Sequence, residues 1–337
     1  MKTPPVWENL PFTFKQGVVA YLDFHSRRSL EKCSREDRSV VKSVPMILST
    51  LLLDLNPDDL ESAWYTNPSS DIQLTQLLIQ ERPFSRGLHW RNESQEKTIE
   101  NLMLICDNSK LIIKEMIFTS DLNPAKFIEK LLKKFGHRKF HVQRLMWKSV
   151  TLARNPKQMD SCLQFFSLFD SGTLKKLEIN FSHKDLVEQL MKTAQFQGLH
   201  EEIVIRSEIE NEMLENVFHS AKVKIQVKEV IAEDLKKVVE VFQGKNLGAY
   251  FNISTKEIQV DLDKILAVFE SMPENSPVPT NSFYERDTHT HRFEMPDRTT
   301  EKGEPLVFWM KIQRNSVWGV VCRVDNVCKD MNNCPYY

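Results

Sequence analysis

Nine glycines in 337 residues are few. Loops that cradle phosphate need glycines in a tight group. Here Gly136, Gly172, Gly198 and Gly244 each stand alone, just after a helical pattern and just before a strand-like one. That is the place of a helix C-terminal cap in left-handed backbone, and it leaves no nucleotide-binding loop. Metal and nucleophile motifs are also missing. There is no C-x-x-C, no H-E-x-x-H and no G-x-S-x-G elbow, and nothing pairs a nucleophile with a base. The sequence predicts no catalytic residue, no metal, no cofactor and no enzyme. No apolar run approaches 18 residues, so no span is expected. MKTPPVWENL lacks the apolar core of a signal peptide. Lys and Arg number 45 against 46 Asp and Glu, a net charge of -1, which gives no global pull toward nucleic acid or membrane. A soluble protein of the cytoplasm or nucleus is expected.

The six cysteines fit a reducing setting. Cys33, Cys106 and Cys162 sit singly in apolar-patterned segments, while Cys322, Cys328 and Cys334 lie near the C-terminus without zinc spacing. His289 and His291 in DTHTHRF read as a surface loop. Asp261 and Asp263 read as acidic residues at a helix start. The basic run Lys133, Lys134, Arg138 and Lys139 reads as a solvated helix end.

What is present begins with 41% hydrophobic residues, enough for a sizeable core. Residues 1–45 read as three short helices. Phe14, Val18 and Leu22 recur at helical spacing with Val19 widening the stripe. Ser26 is placed as the cap of the second helix. Ser34 opens a capping box for the third, and Pro45 ends it. Residues 46–110 hold a strand in ILSTLLLDL, a turn at Asn56-Pro57, an undecided DIQLTQLLIQ and a helix in ESQEKTIENLMLI; the fold of this connecting region is open. From 111 to 273, strand-like runs begin near Ile112, Val142, Leu174, His200, Lys222 and Asn246, alternating with amphipathic helices. Asn123-Pro124 and Asn155-Pro156 start two of these, and Ser182 with Asp185 a third. Units of about 27 residues point to a leucine-rich-repeat-like β/α solenoid, with a doubly wound sheet as the alternative. Residues 274–337 read as a Pro/Ser/Thr-rich linker, then a hairpin about Gln313–Ser316 that caps the last apolar face. The fold class is α/β: a three-helix module, a solenoid and a hairpin cap.

Alternation along the strands turns one side outward. On it lie Arg144, Met146 and Lys148, then Lys176, Glu178 and Asn180, then Glu202, Val204 and Arg206, then Lys224, Gln226 and Lys228, then Tyr250 and Asn252. Six cations against two carboxylates make this strip a candidate target face for an acidic or phosphorylated segment, with Met146 and Tyr250 as anchors.

The stretch WENLPFTFKQGVVAYLDFHSRRSLEKCSREDRSVVKS, Trp7 to Ser43, resembles an F-box. The matching positions are Leu10-Pro11, Val18-Val19, Leu22, Leu30 and Cys33-Ser34. The family's third-helix Trp is absent, with Arg38 and Val40 in its neighbourhood. YLDFHSRRSLEKCSREDR, the units carrying LKKLEIN, and HRFEMPD are together similar to nematode F-box proteins with an FTH domain. The resemblance implies a substrate-recognition subunit of an SCF-type cullin–RING ubiquitin ligase. Leu10, Pro11, Phe14, Val18, Val19, Leu22, Leu30 and Cys33 would meet the Skp adaptor, and through it cullin and RING subunits. The C-terminal domain would select a target protein, and the ubiquitin chemistry would lie in other subunits. The alternative is a repeat-type binding module outside a ligase, meeting protein or RNA through its basic helix ends.

Overall fold

In the computed structural model, the described residues are 6–55, 74–81, 88–120, 124–149, 156–181, 183–256, 262–270, 272, 275–278 and 288–324. The chain divides into two compact units, Met1–Leu174 and Lys175–Tyr337.

The first unit opens with a 3-10 turn, Trp7–Asn9, and three helices: α1 (Phe12–Tyr21), α2 (Phe24–Leu30) and α3 (Arg35–Ser43). Ser34 caps α3 as the S-x-x-D spacing predicts, its Oγ accepting from the Asp37 N–H at 3.0 Å. The second cap differs from expectation: Asp23, not Ser26, caps α2, its carboxylate accepting from the Ser26 N–H at 2.7 Å. Val19, Val40, Val41 and Val44 form the module's core, with Trp7, Leu22 and Leu30 packed against it. The Trp7 indole N–H donates to Asp37 Oδ1 at 2.7 Å, so an aromatic from the entry turn covers the N-terminal turn of α3.

Strands β1 (Met46–Asp54), β2 (Leu74–Gln80) and β3 (Leu88–Ser94) follow, then α4 (Gln95–Ile105), β4 (Leu111–Ser120), α5 (Ala125–Phe135), β5 (Val142–Ser149) and α6 (Pro156–Ser167). The undecided DIQLTQLLIQ therefore contributes a strand. The order in this unit is β5-β4-β1-β2-β3, with β1, β4 and β5 parallel and β2 and β3 antiparallel. The core lies under α5 and α6. The ring of Phe165 stands 5.0 Å from Phe118 and 5.1 Å from Trp147, and Phe135 stacks on Phe140 at 4.4 Å.

The second unit holds β6 (Lys176–Phe181), α7 (Lys184–Met191), α8 (Ala194–Gln197), β7 (Glu202–Ile209), a 3-10 helix (Asn211–Val217), β8 (Lys222–Val227), α9 (Ala232–Gln243), β9 (Tyr250–Thr255) and α10 (Leu262–Glu270). Then come β10 (Asn275–Val278), β11 (His289–Thr299), β12 (Pro305–Gln313) and β13 (Ser316–Arg323). Their order is β6-β7-β8-β9-β13-β12-β11-β10. Strands β6 to β9 are parallel and neighbour one another in chain order, the connectivity of stacked β/α units.

One expectation stands: the hairpin about Gln313–Ser316 is present. Strand β13 pairs with β9, and β12, β11 and β10 extend the same sheet antiparallel. Several others are corrected. His289 and His291 lie in β11 rather than a loop. His291 is buried, its ring 5.9 Å from Phe269. Of the four glycines expected in left-handed backbone, Gly136 alone adopts it, at φ 61°. Gly198 and Gly244 end their helices in right-handed backbone. The expected turn at Asn56-Pro57, the caps Asn123, Asn155 and Ser182, and Asp261, Cys328 and Cys334 fall outside the described residues.

Candidate partner-binding surfaces

Helix α1 divides its apolar residues between two tasks. Val19 is fully buried in the module's core, and Leu22 and Leu30 pack against that core. As the structure places it, Val19 builds the module and offers no surface, because the four valines leave it no exposure. Pro11, Phe14 and Val18 recur at three- and four-residue spacing along one face. Phe14 is 57% exposed, Pro11 is exposed, and Val18 and Leu10 are half-buried. Cys33 is exposed at the turn into α3.

Sequence reasoning missed one member of this stripe and one exposed aromatic outside it. Tyr21, three residues past Val18 on the same face, is 88% exposed, and Phe12 is exposed beside the Leu-Pro pair. Extending the 11–14–18 spacing by one step would have found Tyr21. An exposed apolar stripe along one helix face is a surface that can meet a partner.

The module is tied to the first sheet by polar contacts. The Arg27 guanidinium is buried and gives three hydrogen bonds: Nε to Leu22 O at 3.0 Å, Nη1 to Pro45 O at 3.1 Å and Nη2 to Ala20 O at 3.3 Å. Burial lowers its pKa, and the nearby Glu81 carboxylate opposes that. Glu81 also accepts from the Phe24 N–H at 2.5 Å. On the other side, Asn108 donates to Val44 O at 3.3 Å, Lys110 donates to Ser43 O at 2.7 Å, and Lys42 pairs with Asp107 at 2.8 Å. A partner held by α1 would be held at a set orientation to β1 and β4.

The residues of the candidate target strip fall on both units. In the first unit Arg144 pairs with Glu115 at 3.5 Å, Met146 is half-buried in register with Ile117 and Leu52, and Lys148 is exposed. In the second unit Lys176 pairs with Glu201 at 3.4 Å, Arg206 with Glu178 at 2.8 Å and Lys224 with Glu202 at 3.8 Å; Lys228 is exposed.

Three strip members expected outward are buried. Glu178 is buried because the Arg206 guanidinium lies on it from the neighbouring strand, and Val204 is buried beside it. Tyr250 is buried because β13 and β12 bring Val320, Cys322 and Val307 onto the same side of the sheet, with Trp309 and Trp318 at the margin. Its hydroxyl donates to Glu202 Oε1 at 3.2 Å, and the ammonium groups of Lys222 and Lys224 stand 5.6 and 5.3 Å from its ring. The strip is thus a face of alternating charges, with Glu115 and Glu201 adding carboxylates to it.

Among the described residues, no group of three or more His, Cys, Asp or Glu side chains is placed to hold a metal ion. No described helix is long and apolar enough to cross a membrane.

Compared with known proteins, residues 124–272 match the family model of the FTH domain. The matched range begins at the start of α5 and ends just past α10, and residues Trp7–Ser43 lie outside it. No curated protein and no solved structure matches the chain.

Proposed function

We propose that this chain, which carries an FTH domain at residues 124–272, is the substrate-recognition subunit of an SCF-type cullin–RING ubiquitin ligase. The observation that carries the proposal is the exposed stripe of α1. It sits on a three-helix module whose own core is already complete, and the module's sequence resembles an F-box. Residual apolar surface of that kind is stabilised by a partner's surface.

In this reading Leu10, Pro11, Phe14 and Val18 dock on the Skp adaptor, with Cys33 at the rim. Val19, Leu22 and Leu30 act behind them by packing. Cullin and RING subunits join through the adaptor and supply the ubiquitin chemistry, and the chain itself is no enzyme. The β/α units form a solenoid whose polar sheet face receives the target protein, and the protein works in the cytoplasm or nucleus. The runner-up is a binding module outside a ligase that meets RNA through its basic helix end. It is the weaker reading, because Lys134 already faces Glu100 at 3.9 Å and Lys139 donates to Ser167 O at 2.6 Å.

A pulldown of the Skp adaptor by the full chain tests the proposal. The Leu10→Ala/Pro11→Ala double variant should lose binding by roughly thirtyfold or more, the effect of removing a desolvated anchor. Equal capture by wild type and double variant would contradict it.

A further inference from the structure

The turn that leads into Leu10 and Pro11 is a short 3-10 piece, Trp7–Asn9. Its backbone is held where the Asn9 N–H donates to Val6 O at 2.9 Å and the Leu10 N–H to Trp7 O at 3.1 Å. Such turns have poor hydrogen-bond geometry and little stability of their own. Side chains supply the rest. The Trp7 indole N–H donates to Asp37 Oδ1 at 2.7 Å, while Oδ2 of the same carboxylate accepts from the Ser34 hydroxyl at 2.8 Å. Asp37 is buried, so this carboxylate is shielded from water. Hydrogen bonds to an ionised acceptor are about twice as strong as neutral ones.

The same turn is held from α1. Lys15 is only 1% exposed, a place lysine takes when its ammonium is paired. That ammonium donates to Glu8 O at 3.2 Å, pairs with Glu36 and stands 5.8 Å from the centre of the Trp7 ring. Trp7 is therefore gripped by α3 and Glu8 by α1. Glu36 and Asp37 are neighbours in the first turn of α3, so both grips close on one helix end. Leu10 and Pro11 lie between the gripped residues and the start of α1 at Phe12. Neither gripping residue belongs to the exposed stripe: Trp7 packs against the valine core and Lys15 is buried.

We infer that Trp7 is a positioning residue for adaptor docking, acting with Lys15 through Leu10 and Pro11. Only molecules whose turn already has the docking geometry bind, so loosening this clasp raises the apparent dissociation constant by the reciprocal of their fraction. Ordering the turn beforehand removes that cost. The inference rests on the receptor reading for the identity of the partner, and the ordering of the turn by Trp7 stands apart from it.

The test is a double-mutant cycle on the full chain with the purified Skp adaptor, read by calorimetric titration at a temperature where circular dichroism shows every variant folded. Trp7→Phe keeps a ring on the core and removes the N–H that Asp37 accepts. It should weaken binding about fivefold or more. In a Leu10→Ala background the same change should cost less than about twofold, because the anchor it positions is gone. In a Val18→Ala background it should keep its full effect. A merely structural role would lower affinity equally in all three. A Trp7→Phe chain that does not fold is replaced by Lys15→Met, which keeps the buried stem and drops the bond to Glu8 O. A second arm needs no adaptor: in the free chain, the Asn9 and Leu10 amides of Trp7→Phe should exchange about fivefold or more faster by NMR, with the amides of α2 at wild-type rates. Full affinity in the variant, equal losses in the three backgrounds, or unchanged exchange at Leu10 overturns the inference. A wild-type chain that binds no adaptor overturns the receptor reading and the docking role together, and the exchange arm then reports separately whether Trp7 orders the turn.

Discussion

At Arg27 three carbonyls, from Ala20, Leu22 and Pro45, converge on one buried guanidinium. Replacing it with Met keeps the alkyl packing and strands those acceptors. Arg27→Met should cost about 2–4 kcal/mol of stability in urea unfolding, the penalty of leaving buried polar groups unpaired. A change below about 1 kcal/mol would show that the junction is solvated. Lys245 makes a second residue-scale claim. Its ammonium donates to Phe218 O at 2.6 Å and to Ser220 O, and lies 4.0 Å from the Phe242 ring; burial pushes its pKa down to about 8. An unfolded lysine titrates near 10.4. Between those values the unfolded chain binds the extra proton, so this residue makes stability rise as pH climbs from about 8 to about 10. Desolvation pushes the thiols of the half-buried Cys106 and the buried Cys162 up to about 12, and both act in the opposite direction. The clean readout is therefore the difference between wild type and Lys245→Met at pH 7.5 and 9.5. Wild type should gain relative to the variant, and a constant difference would refute the assignment. At this scale the sequence was legible where partners are local. Ser34 is a readable cap because Asp37 stands three residues away. Glu178 was misplaced because its partner Arg206 comes 28 residues later on another strand, and alternation along one strand carries no information about its neighbour.

Among the elements, β13 shows most sharply how packing fixes a residue. Gly319 lies opposite Phe251 of β9 and Met310 of β12. The Phe251 and Phe308 rings, 6.0 Å apart, meet across it. A methyl there would overlap Phe308 and come within 2.8 Å of Phe251 Cε1. Gly319→Ala should destabilise by about 1–3 kcal/mol, the range for overpacking. Gly17 in α1 is the contrasting case, with nothing within 4 Å of an added Cβ. Gly17→Ala should stabilise by about 0.5–1 kcal/mol through helix propensity. Chemical denaturation of the two variants checks the opposite signs; equal signs would discredit the packing around β13. The β/α alternation from 111 onward was readable because one face of each strand is apolar and each helix has its own stripe. The reach of the terminal strands was not. Whether Tyr250 faces solvent depends on β13, which arrives some 66 residues later in the chain and brings Val320 onto its side of the sheet. The paired burial of β12 and β13 removes the alternation that would have marked a simple surface hairpin.

At the scale of the whole molecule, the proposed reading gives two surfaces two tasks: the α1 stripe for an adaptor and the polar sheet face for a target. The first was half legible. The Leu10-Pro11 pair and the 14–18 spacing pointed to α1, yet pattern alone could not separate Val19, which fills the core, from Phe14, which does not. The second was legible only as a row of outward residues, because the carboxylates that pair with its cations come from neighbouring strands. The polar ties from Arg27, Asn108 and Lys110 make the three-helix module continuous with the first sheet. The central claim is that the module binds a Skp-type adaptor through α1. Calorimetric titration of the purified full chain with the purified adaptor tests it most directly. A one-to-one complex is expected, weakened roughly thirtyfold or more by Phe14→Asp while the chain's own unfolding midpoint is unchanged. No complex with the wild-type chain, or a complex that Phe14→Asp leaves intact, would contradict it.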